Sequence, residues 1–76
     1  MTKYFIGKDS EGVFAVYRAT FAGSILSTQQ KWDIPKGKAW EKTDRVGQWY
    51  FVGNDKVWES TEDEVASYLP KGALSL

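Results

Sequence analysis

The chain has 76 residues, which is one domain's worth of material. It has no cysteine and no histidine, which excludes disulfide staples, thiol nucleophiles, Ser-His-Asp and Cys-His catalytic systems, and thiolate or imidazole zinc sites. Ten basic and ten acidic residues cancel, so no global charge draws the chain to nucleic acid or to an anionic membrane.

Lys3 to Lys8 is aromatic and β-branched, with Tyr4 and Ile6 on one side of a strand and Phe5 on the other. Asp9-Ser10-Glu11-Gly12 is turn chemistry, and Val13 to Arg18 alternates Val13, Ala15 and Tyr17 against Phe14, Val16 and Arg18. The pair predicts a hairpin whose second strand runs toward Phe21. Ala22-Gly23-Ser24 reads as a bend and Ile25 to Trp32 as a third strand. Ile34-Pro35-Lys36-Gly37-Lys38 is the strongest breaker in the chain, because Pro restricts its predecessor and Gly is permissive.

Ala39 to Thr43 is a candidate short strand, followed by a turn at Asp44-Arg45-Val46-Gly47. Gln48 to Gly53 and Lys56 to Ser60 then read as a second hairpin about an Asn54-Asp55 loop, since both loop residues tolerate the left-handed region. That pairing places Trp49, Phe51 and Trp58 on one face and Tyr50, Val52 and Val57 on the other. The period changes after Ser60. Thr61 with Glu64 three positions on is a capping box, the acidic first turn suits the helix dipole, and Val65, Tyr68 and Leu69 share a face. Pro70 and Gly72 stop this helix, which is expected over about 61–69. The expected fold is therefore α+β: a small antiparallel sheet or partly closed barrel of about five strands with one short C-terminal helix, spanning 1–76 as a single strand-rich domain.

No Gly-rich phosphate loop follows a strand, and no calcium-loop pattern surrounds Asp55. Glu62, Asp63 and Glu64 are accounted for as helix-capping and solvating groups. The expectation is a protein that is not an enzyme and takes no cofactor and no metal. Met1 to Lys8 lacks the apolar core of a signal peptide, and the longest apolar run, Trp49 to Val52, is too short to cross a bilayer. A cytoplasmic protein that does not engage membranes is expected.

Both faces of the predicted strands carry apolar residues, more than one short helix can shield. Either the sheet curls on itself or another chain covers it. A protein-interaction module follows as the expected function, with a second copy of the chain among the candidate partners. Trp49 and Trp58 are read as core, whereas Trp32 and Trp40, flanked by charges and the Pro-Gly loop, join Tyr17 and Tyr50 as the expected partner-binding residues. The alternative is single-stranded nucleic-acid binding: aromatics interleaved with Lys31, Lys36, Lys38 and Lys42 in the Lys31–Arg45 basic segment are how related sheets stack bases.

Met1-Thr2-Lys3-Tyr4, Val16-Tyr17-Arg18, Lys31-Trp32-Asp33, Trp40, and Thr61-Glu62-Asp63-Glu64 through Leu69-Pro70 resemble a group of small actinobacterial and actinophage proteins, over most of the chain. The chain departs from that group in lacking a Gly-Trp pairing near Trp40. The resemblance carries no functional residues; it implies an accessory protein of a phage or mobile element acting on a host or virion protein.

Overall fold

The computed structural model describes residues 1–53 and 56–76, with the backbone alone for residues 49–52. Five strands form one open antiparallel sheet in the order β4-β3-β2-β1-β5: β1 Thr2–Asp9, β2 Gly12–Ala22, β3 Ile25–Asp33, β4 Glu41–Lys42 and β5 Val57–Ser60. Two short helices, α1 Arg45–Val52 and α2 Glu62–Ala66, and a final 3-10 turn at Ala73–Ser75 complete the described structure.

The first hairpin follows the local chemistry. Asp9 accepts the Glu11 N–H through Oδ1 at 2.8 Å, a side-chain turn that closes β1 onto β2. The β2–β3 connection is Gly23-Ser24, with Gly23 at φ 65° supplying the left-handed residue that a two-residue hairpin demands. The expected alternation in β2 is interrupted where the register shifts opposite Gly7/Lys8. This bulge turns Phe14 to the same side as Ala15 and Tyr17 and sends Val13 to the side of Val16. Gly7 leaves room for it: a Cβ there would lie 2.9 Å from the Phe14 ring and 3.0 Å from Tyr17.

Both faces of the sheet carry a core. Phe5, Ala15, Tyr17, Ala19 and Phe21 line the first face and are covered by Val46 of α1, with Phe14, Leu26 and Val57 packed at the margin. Ile6, Val16 and Trp32 line the second, covered by Val65 of α2 and Ala73, with Trp40, Leu69 and Leu74 among the surrounding groups. The C-terminal segment is fastened by two hydrogen bonds, from Trp40 Nε1 to the Ala73 carbonyl at 2.9 Å and from the Arg18 guanidinium to the Leu76 carbonyl at 2.8 Å.

The predicted second hairpin is not formed. Residues 45–52 are helical, and β5 pairs with β1 in the register Tyr4↔Ser60, Phe5↔Glu59, Ile6↔Trp58 and Gly7↔Val57. The Asn54-Asp55 loop lies outside the described residues. The expected turn at 44–47 is instead the helix entry, where Thr43 Oγ1 accepts the Arg45 N–H and the Asp44 carbonyl accepts the Gln48 N–H. Val46, fully buried, gains more by closing the first face than this aromatic stretch gains from its strand propensity. Gly47 lets the helix approach β3, its N–H reaching Gln29 Oε1 at 2.9 Å. Of the two expected forms the open antiparallel five-stranded sheet is found and not the partly closed barrel, and its apolar faces are covered by a helix on each side in place of the lone helix expected. The C-terminal helix is shorter than expected, although Thr61 is its N-cap as predicted, with Oγ1 accepting the Glu64 N–H at 3.1 Å.

Candidate docking edge

β5 is the terminal strand of the sheet, next to β1. Its phase follows from one hydrogen bond: Lys8 N–H donates to the Lys56 carbonyl at 3.0 Å. In an antiparallel ladder every second residue faces the same neighbour, so Trp58 and Ser60 turn their backbone groups to Ile6 and Tyr4. Val57 and Glu59 consequently direct their N–H and C=O groups outward. Four backbone groups face away from the sheet, the arrangement that invites another strand.

Trp58 stands on this edge, on the second face, 45% exposed. It flanks a mainly polar groove of about 200 Å³ lined by Ile6, Lys8, Val13, Ser60, Glu64 and Tyr68, the last 43% exposed. The Lys8 ammonium lies 4.9 Å from the Trp58 ring centroid, and Glu64 is steered into place by Ser60 Oγ at 2.7 Å. Among the described aromatic residues, Trp58 and Tyr68 are the exposed ones.

Charge along the edge is polarised. Lys8, Asp9 and Lys56 lie at the end where β5 begins, and Glu59, Glu62, Asp63 and Glu64, with Lys3 against Glu59, lie where it ends and α2 starts, so the second end is the more acidic. Lys3 sits 3.6 Å from Glu59 in an exposed ion pair, an interaction too screened to hold that carboxylate firmly.

The residues expected to contact a partner do not form one surface. Tyr17 and Trp32 are interior at 1% and 4% exposure, and they belong to opposite faces of the sheet. Trp40 is half-buried, packed edge-on against Trp32 with ring centroids 5.5 Å apart and covered by the Arg18 guanidinium at 4.1 Å. Burial there lowers the Arg18 pKa, Tyr4 opposing the shift, and its Nε–H bonds Gln30 Oε1 at 2.6 Å. Tyr50 belongs to α1, and its side chain is outside the described set. Lys31 and Lys42 pair with neighbouring positions on β4 and β3, Glu41 and Gln30, and so point to opposite faces. Lys36 and Lys38 lie in the loop between those strands. Lys31 and Lys42 thus do not share one face of the sheet. Trp58, read from sequence as core, is the one tryptophan among the described side chains that the fold leaves exposed. The signal was present: charged Lys56 and Glu59 bracket it, and a helix cap begins three positions later.

A second concavity, of about 400 Å³, opens on the first face near Tyr17, among Asp9, Lys31, Asp33 and Arg45. Its carboxylates already accept backbone N–H groups, Asp9 from Glu11 and Asp33 from Lys36. Tyr17 is pushed up to about 12 by burial; Arg45 opposes the shift and Asp33 adds to it. The folded chain therefore keeps a proton that the unfolded chain releases near the usual 10.0. The resulting stabilisation is whole below pH 10 and is lost as pH climbs from about 10 to about 12, a loss on the order of 1–3 kcal/mol. Urea unfolding at both ends of that interval is expected to show this loss in the native sequence and not in Tyr17→Phe; parallel declines would contradict it.

Among the described residues, no group of three or more acidic, His or Cys side chains could hold a metal ion, and no helix is long and apolar enough to cross a membrane. Comparison with protein-family models, curated proteins and solved structures returns no match.

Proposed function

We propose that the protein is a non-catalytic interaction module that docks a polypeptide along the outer edge of β5, with Trp58 and Tyr68 as its apolar anchors. The observation that carries this reading is Trp58, a large indole left 45% exposed on a terminal strand while both sheet faces are covered. An exposed tryptophan beside a groove is the composition of an interface hot spot, and a strand edge supplies the backbone hydrogen bonds that orient a partner. A role on another protein is also what the accessory character implied by the sequence resemblance would require.

The test is a library of displayed peptides selected against the intact chain. Ligands recovered on the native sequence should lose about thirtyfold in affinity on Trp58→Ala, a hot-spot-sized effect. They should be unaffected by Ile25→Ala, which alters an exposed side chain at the distant β2–β3 turn. Ligands indifferent to Trp58→Ala, or no ligands at all, would count against the reading.

A further inference from the structure

Resting on that docking reading, we infer that the β5 edge is self-complementary and takes a second copy of this chain, antiparallel, across a two-fold axis at Trp58. Three features of the edge converge on this occupant.

The first is the hydrogen-bond phase. With Trp58 on the axis, Val57 of one copy faces Glu59 of the other and each pair exchanges two N–H to C=O bonds. All four outward backbone groups of each copy are then used, and no residue beyond the described strand is needed. An axis at Glu59 would oppose two carboxylates directly, which is unfavourable.

The second is charge. The edge runs from Lys8, Asp9 and Lys56 at one end to the more acidic group of Glu59, Glu62, Asp63 and Glu64, with Lys3 beside Glu59, at the other. Antiparallel pairing lays the lysine-bearing end of each copy against the acidic end of its mate, twice by symmetry; parallel pairing would set the two acidic ends together. The same polarity favours a second copy over a uniformly basic or uniformly acidic strand, which could match only one end.

The third is the indole. Position 58 becomes a non-hydrogen-bonded pair with its own copy, the closer of the two antiparallel pair types. Each Trp58 meets the other on the second face, beside both grooves and their Tyr68 walls. A four-residue edge buries little area, so the dimer belongs to the weak, reversible class.

The chain has no cysteine, so single cysteines report the register cleanly. Sedimentation velocity up to about 1 mM chain should show a monomer–dimer equilibrium, weakened about tenfold by Lys56→Glu or by high salt. The indole is kept in both reporters, Val57→Cys and Glu59→Cys, whose positions the proposed register sets directly opposite each other about 5.5 Å apart at Cα, within disulfide reach. Glu59→Cys should cross-link quickly with Val57→Cys and slowly with itself. Ile25→Cys serves as the exposed control for random collision. A monomer at every concentration, or Glu59→Cys pairing with itself as fast as with Val57→Cys, would overturn the inference. If the chain stays monomeric while displayed peptides still depend on Trp58, only the choice of occupant fails; if both are negative, the docking reading fails with it.

Discussion

Replacing Trp32 by Ala should cost about 3–5 kcal/mol of folding stability, the range for deleting a large buried aromatic. Trp32 is 4% exposed and central to the second-face core, packed with Ile6, Val16 and Val65 and serving as the platform for the Trp40 ring. Removing it leaves a void under Trp40, whose hydrogen bond to Ala73 and stack on Arg18 fasten the C-terminal segment. A chain of this length has of order 4–11 kcal/mol in total, so the variant should be largely unfolded by modest warming or low urea. Trp58→Ala, by contrast, should cost less, about 1–2 kcal/mol, since nearly half of the side chain is already in water. Urea titrations of the two variants separate an interior indole from a docking indole. Similar losses for both would contradict the assignment.

Gly37→Ala is the second large effect, expected at about 3 kcal/mol. The loop after β3 folds back so that the Gly37 N–H donates to the Asp33 carbonyl at 2.6 Å. A Cβ at Gly37 would run into that same carbonyl oxygen and lie 2.9 Å from the Asp33 nitrogen and 2.8 Å from Trp32 Cδ1. Two of these obstacles are backbone and the third is a buried indole, so no flexible side chain can yield. The loop must lift off, exposing Trp32 and losing the bond. Thermal unfolding should fall by more than about 10 °C for a domain of this size. A drop under about 2 °C would show that the loop does not pack on Trp32 as described.

What the sequence disclosed, and what it did not, divides by the range of the forces. The β1–β2 hairpin is written in local chemistry, an Asx turn between alternating runs, and the Thr61 cap is a four-residue signal; both are where the pattern places them. The stretch 45–52 is different. Trp49 to Val52 is strand-like by propensity, but the first sheet face, lined by Phe5, Tyr17 and Phe21, needs a cover, and Val46 can seal it only from a helix. Once that segment leaves the sheet, β5 has no hairpin mate and pairs with β1 instead.

The candidate site inherits that difference. Reading 48–60 as a hairpin made Trp58 an interior residue, while the Pro-Gly loop around Trp32 suggested exposure that the fold removes. The bulge at Phe14 likewise alters which residues share a face, and strict alternation gives no hint of it. The excess of apolar strand surface was legible; its cover by a second helix within the chain was a tertiary outcome. So was the polarity of the β5 edge, because Lys8 reaches it only through the β1–β5 pairing.

The most direct test of the docking edge is amide hydrogen exchange at residues 57 to 60, followed as the chain is concentrated. The N–H groups of Trp58 and Ser60, bonded to β1, should be protected at every concentration, while those of Val57 and Glu59 exchange freely in dilute solution and gain protection as copies associate. Slow exchange of Val57 and Glu59 in the dilute monomer would mean that the outer edge is already paired within the chain, and the account of β5 would be wrong.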